Sequence, residues 1–313
     1  MPRVSSTAAG LLLLLCILMA CDQSPSDPPR FVCPASSQCT QACCEQVLVP
    51  AGSFVMGSDE SEHEAPPPAF FGGLRSFGVQ GPAHEVQLDA YCIDRYEVTV
   101  ERYEACAQSG VCDPGGSECS YMPREGEYQT RVNHYPRECD NRGHLCPTFP
   151  VNCKSYTQAQ SYCSWIGRRL CTEAEWERAA SGPGPSKRAH PWGDAPPNAD
   201  LLNALEHGPG HLMPVDSYPD GVSAEGVHNL AGNVYEWVAD AYAPYRVGAR
   251  PSRNPTGPRT GALRIGRGAC FLSESGFKSA DRTTFDPDFN WGCVGIRCCS
   301  TPEPAAAIGR AQP

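Results

Sequence analysis

Asn229-Leu-Ala-Gly-Asn-Val-Tyr-Glu-Trp237 is the stretch on which the fold turns, read with Arg169-Leu-Cys-Thr-Glu-Ala-Glu-Trp-Glu177 before it and Gly295-Ile-Arg-Cys298 after it. The upstream segment carries a local signal of its own. Thr172-Glu-Ala-Glu175 is a capping box, in which hydroxyl and carboxylate satisfy free backbone N–H groups, so a helix opens there. Just before it, Ala159, Tyr162, Cys163 and Ile166 recur at i, i+3, i+4 and i+7 and stop at Gly167, which predicts a second helix. A third is predicted where Thr99 caps Val100, Tyr103 and Cys106, ending near Gly110. Val47 to Gly57 reads as a hairpin, two apolar runs around a Pro-Ala-Gly turn, and His84 to Asp94 alternates as a strand. With 31 Pro and 30 Gly, much of the chain is loop. The class is α+β with low regular secondary structure.

The N-terminus sets the compartment. Met1-Pro2-Arg3 supplies a short basic region, residues 8–20 are continuously apolar, and Leu18-Met19-Ala20 leads into Cys21. That is the order of a secretory signal, and Leu-x-Ala-Cys resembles a bacterial lipobox, which makes Cys21 the lipidated first residue of the mature chain. The apolar run is shorter than the ~20 residues a helix needs to span a bilayer. The expected location is therefore outside the cytoplasm, lipid-anchored to a bacterial membrane. A formal net charge of −10 argues against nucleic acid as a partner and against an electrostatic membrane patch, so the lipid alone does the anchoring.

Nineteen cysteines are too many for a reduced cytosolic chain of this length and read as disulfides. Setting aside Cys16 in the signal and Cys21 for lipid leaves an odd number, so at least one is unpaired, modified or linked to another molecule. No paired Cys-x-x-Cys knuckles occur, which speaks against structural zinc. His207 and His211, in His-Gly-Pro-Gly-His, read as exposed loop histidines rather than metal ligands.

The expected organisation is a signal peptide at 1–20, a flexible tether at 21–32 and a cysteine-rich lead-in at 33–45. One domain follows at 46–300, with a disulfide-stapled insertion at 111–152 and a long surface loop at 59–83. A disordered tail at 301–313 ends the chain.

Six markers stand in order: Pro50-Ala-Gly-Ser-Phe-Val-Met-Gly57, Tyr91-Cys-Ile-Asp-Arg-Tyr-Glu-Val-Thr99, Phe149-Pro-Val-Asn152, Arg168-Arg-Leu-Cys-Thr-Glu-Ala-Glu-Trp176, Pro191-Trp-Gly193 and the Asn229 block. Together they resemble the formylglycine-generating-enzyme family, also called the sulfatase-modifying-factor domain, over roughly residues 46–300. The resemblance implies a divergent C-type-lectin-like fold. It also implies a calcium loop with the Asn229 amide oxygen, the Gly232 and Val234 carbonyls and the Glu236 carboxylate as ligands; hard oxygen donors from one short loop suit this ion. The plain alternative is that Asn229 and Glu236 satisfy loop backbone. A second calcium site would use Asn203. The resemblance pairs Cys163 with Cys298; a second family pair falls on Ala180 and Thr283, where both cysteines are absent together. Cys171 is left to Cys270, Cys293 or Cys299.

Enzymes of this family oxidise a substrate cysteine to an aldehyde with O2, using two thiolates five residues apart to hold Cu(I), a soft ion that needs soft ligands. Counting onward from the turn Arg264-Ile-Gly-Arg-Gly-Ala-Cys-Phe271, those two slots fall on Ser273 and Lys278. Neither holds Cu(I). Shifting the register to Cys270 puts Ser275 in the second slot; Cys293 and Cys298 have the spacing, but Cys298 belongs to the structural disulfide. Calcium is expected, copper is not, and no catalytic residue is assigned. The expected role is a binding or scaffold module whose loops at 59–83, 111–152 and 238–262 meet a protein, peptide or glycan. The alternatives are the copper oxidase itself, or an enzyme of unrecognised chemistry built on Ser273 and Lys278.

Overall fold

All three predicted helices form where their caps lie. α1 (Val100–Gln108) starts at Thr99, whose hydroxyl accepts from the Arg102 N–H. α2 (Tyr156–Trp165) starts at Ser155, which forms a capping box with Gln158. α3 (Glu173–Ser181) starts at Thr172 with the capping box to Glu175 in place. Each turns an apolar edge inward: Tyr103 and Cys106 from α1, Ala159, Tyr162 and Cys163 from α2, Trp176 and Ala180 from α3 are all buried. The computed structural model describes residues 31–37, 45–59, 74–77, 80–114, 118–119, 131–132, 147–246, 248 and 250–305. The expected signal peptide and lipid attachment at Cys21, most of the expected surface loop at 59–83 and most of the expected insertion at 111–152 lie outside the described residues.

Short strands make up the rest of the regular structure. Before α2 come β1 (Phe31–Val32), β2 (Gln46–Val49), β3 (Gly52–Met56), β4 (Leu74–Phe77), β5 (His84–Leu88), β6 (Tyr91–Asp94), β7 (Glu118–Cys119) and β8 (Arg131–Val132). After it come β9 (Arg169–Leu170), β10 (Tyr235–Ala241), β11 (Ser252–Arg253), β12 (Arg264–Arg267), β13 (Thr283–Phe285), β14 (Val294–Gly295), β15 (Cys298–Ser300) and β16 (Glu303–Pro304). They assemble a five-stranded sheet in the order β14-β10-β12-β13-β4, a three-stranded sheet β11-β5-β3, a four-stranded sheet β2-β6-β15-β9, and the pairs β1-β16 and β7-β8.

Two expectations need correction. β2 and β3 do not pair with each other: Val49 lies opposite Tyr91 and Gly52 opposite Leu88, so β2-β3 runs as one ribbon against β5-β6. Pro50 has no N–H to give a ladder, and across from it the Asp89 N–H is taken by Asn254 Oδ1 at 2.8 Å. The ribbon breaks there, and its halves join different sheets. The tether and the tail are also shorter than predicted, because Phe31–Val32 pairs with Glu303–Pro304.

Buried side chains gather in two cores. One surrounds Tyr162, Trp237, Phe285 and Val294. The other surrounds Phe54, Val86, Trp176 and Ile265. Disulfides stitch the layers. Cys163 pairs with Cys298, the bridge the resemblance implied; Cys171 pairs with Cys299, and Cys270 with Cys293. Cys33 joins Cys92 and Cys106 joins Cys112, while Cys153 is also disulfide-bonded.

Candidate functional site

The Asn229–Trp237 stretch is a buried loop feeding β10. Asn229, Gly232 and Asn233 take φ of 54°, 83° and 62°, the left-handed region that Gly and Asn tolerate best. A side chain at Gly232 would run into the Asn203 backbone, which accepts from the Asn233 N–H at 2.8 Å. Glu97, delivered by the turn before α1, sits under the loop. Its carboxylate accepts from Asn229 Nδ2 and Asn233 Nδ2, each at 2.9 Å. Burial raises the Glu97 pKa to about 7 against the pull of nearby Arg297.

Glu236 does not fit the expected calcium set. Its carboxylate accepts from Arg297 Nη2 at 2.7 Å, from Arg297 Nε at 2.9–3.0 Å and from Trp176 Nε1 at 2.7 Å. A buried carboxylate already neutralised by a guanidinium offers a divalent cation no uncompensated charge. Asn229 Nδ2 donates to Glu97 and to the Val215 carbonyl, each at 2.9 Å. Asn203 donates to Asn233 Oδ1 and the His211 carbonyl, while its own Oδ1 faces Gly208, whose missing Cβ makes the room. The loop is held by these hydrogen bonds and one ion pair, and Asn203 Oδ1 is left without a hydrogen-bond partner among the described residues. Among the described residues no three His, Cys, Asp or Glu side chains gather closely enough to hold a metal ion, a donor set different from the amide, two carbonyls and single carboxylate expected of the calcium loop. His207 and His211 are half-buried rather than exposed.

The two copper slots stand on the turn after β12. Ser273 Oγ accepts from the Cys270 N–H at 3.0 Å and reaches Tyr235 Oη at 3.3 Å. Lys278 is half-buried, and its backbone N–H donates to Asp281 Oδ2 at 2.8 Å. A hydroxyl and an ammonium supply no soft ligand. The register shifts are closed as well, because Cys270, Cys293 and Cys298 are all spent in disulfides. Arg282 folds away from this turn, gripping Glu173 through Nε at 2.6 Å and Nη2 at 2.9 Å.

A model of the sulfatase-modifying factor enzyme 1-like domain matches residues 34–302. The chain belongs to this family. A formylglycine-generating enzyme from Streptomyces coelicolor is 32% identical over 293 residues, covering 82% of this chain and 88% of the relative. Among solved structures, PvdO from Pseudomonas aeruginosa superposes with a TM-score of 0.61 at 26% identity, over 88% of this chain and 99% of that one. Treponema denticola variable protein 1 shares the fold at a TM-score of 0.57 and 19% identity, over 82% of this chain and 95% of its own.

Within this sulfatase-modifying-factor domain, sequence reasoning missed the residues that organise the site from a distance. Glu97 meets Asn229 across 132 residues, and Arg297 meets Glu236 across 61. Both lie inside marker segments that were read only as labels of the family. Asp240, three residues beyond Trp237, was overlooked as well.

Proposed function

We propose that this sulfatase-modifying-factor domain is a non-catalytic binding or scaffold module, carried outside the cytoplasm by a lipid on Cys21. One observation carries the reading: the copper slots hold Ser273 and Lys278, and the cysteines nearest to them are locked in separate disulfides. Cu(I) needs thiolates, and the described residues leave no thiol pair for it. Disulfides that tie helices to sheets support an oxidising compartment. The loops around 238–262, with those at 59–83 and 111–152, would present the surface for a protein, peptide or glycan. The competing reading, a formylglycine-generating oxidase, is favoured by the 32% identity to an enzyme of that name.

A Cu(I) titration of the oxidatively folded chain, with free thiols mapped by mass spectrometry and a cysteine peptide as substrate, separates the two. The expected result is no tight copper binding and an unchanged peptide. One-to-one copper with two protected thiols and conversion of the peptide to formylglycine would sink the proposal. On the same reading, C21S moves the chain from the membrane fraction to the soluble one; retention in the membrane would remove the lipid anchor from the proposal.

A further inference from the structure

A cavity of about 420 Å³ opens between the start of α3, the end of β10 and the loop that follows it. It shares no lining residue with the Ser273–Lys278 turn but lies on the 238–262 loop, so the inference rests on the binding-module reading above and names a ligand for that surface. On one side Asp240 is 4% exposed. Its Oδ2 accepts from the Glu173 N–H at 2.8 Å, and among the described residues no group donates to its Oδ1. Gly257, at a φ of 56°, keeps the approach to that oxygen open; a Cβ there would lie 2.5 Å from it. The Tyr245 hydroxyl, buried and without a partner among the described residues, supplies a second polar atom on the lining. Ala241, Ala243, Pro244, Pro255 and Pro258 give an apolar wall.

These features select the ligand's charge. The α3 N-terminus is already capped by Thr172, Glu175 and Asp240, so the helix end has no free N–H to offer an anion there, and the Asp240 and Glu173 carboxyl groups line the space. Arg282 lines the cavity but is spent on Glu173 and stacked 4.0 Å from the Tyr245 ring centroid. Arg246 sits exposed at the rim, and His84 packs edge-on against Tyr245. That leaves one nine-tenths-buried carboxyl with an open oxygen beside a hydrocarbon wall.

We propose that the cavity binds a primary alkylammonium group, with Asp240 as its charge partner and the alanine and proline wall holding the alkyl stem. Burial and the neighbouring Glu173 charge push the Asp240 pKa well up, against the pull of Arg282; Glu175 adds to the rise.

Calorimetry of the full oxidised chain at pH 6 tests this with three probes: Nα-acetyl-lysine methylamide, putrescine and the uncharged Nα-acetyl-norleucine methylamide. At least one amine is expected to bind ten-fold or more tighter than the norleucine probe. Tighter lysine amide points to a protein side chain as the natural ligand, tighter putrescine to a free polyamine. D240N, which keeps an acceptor for the Glu173 N–H, is expected to lose at least ten-fold in amine affinity. Equal binding of norleucine, undiminished binding by D240N, or no binding of either amine at 10 mM would each overturn the proposal.

Discussion

Lys154 shows how far this fold goes in burying charge. Its ammonium lies 4.5 Å from the Tyr103 ring centroid and donates to the Pro114 carbonyl at 3.0 Å. Burial lowers its pKa from 10.5 to about 8, although Asp113 and Glu104 pull the other way. The folded state thus holds this proton less tightly than the unfolded chain. The penalty is complete below pH 8, on the order of 3 kcal/mol, and is relieved as pH climbs from 8 toward 10.5. Urea midpoints of the wild-type chain are expected to rise between pH 7 and pH 9.5. K154M, which keeps the stem and removes the charge, should start higher at pH 7 and lose that rise; an equal slope in the variant would refute the assignment. None of this was legible in the sequence, where Lys154 is one cation among 25 basic residues. The same holds for Asp240, whose backbone partner at Glu173 is 67 residues away.

The elements divide by how local their causes are. Thr99 and Thr172 announce α1 and α3 because a cap and its target lie three residues apart. The hairpin misread at Val47–Gly57 has the opposite origin: the partners of β2 and β3 arrive from β6 and β5, beyond the whole 59–83 loop. No turn motif encodes such a ribbon. Cysteine pairing was legible only where the family resemblance supplied it, at Cys163 and Cys298. The other bridge on β15 follows from strand geometry, since consecutive residues point to opposite faces and Cys299 must look away from Cys298 toward Cys171. One strand is thereby bonded to α2 on one face and to the start of α3 on the other. Replacing both Cys171 and Cys299 by alanine is expected to cost about 2–5 kcal/mol, given the 128 residues they span. Unchanged guanidinium unfolding of the double variant would show that the bridge constrains nothing the other bonds do not.

For the whole molecule, the Asn229 block is part of the match that places the chain in its family. Glu236 is held by Arg297 and the loop closes on Glu97, so the domain is expected to stand without calcium. Excess EDTA should leave the melting temperature within about 2 °C, well short of the shift a lost tight ligand would bring. A fall of 10 °C, reversed by Ca2+, would restore the ion to the loop. On the lipid-anchor proposal, the bridge from Cys33 to Cys92 has a mechanical meaning. The N-terminal strand holds to β16 through only two residue pairs, a joint that peels easily. Behind it, the covalent bond passes tension from the leash straight into β6, and through its ladder into β15 with its paired bridges. A tug on the leash can strip the short strand, but the load then reaches sulfur before it reaches the core.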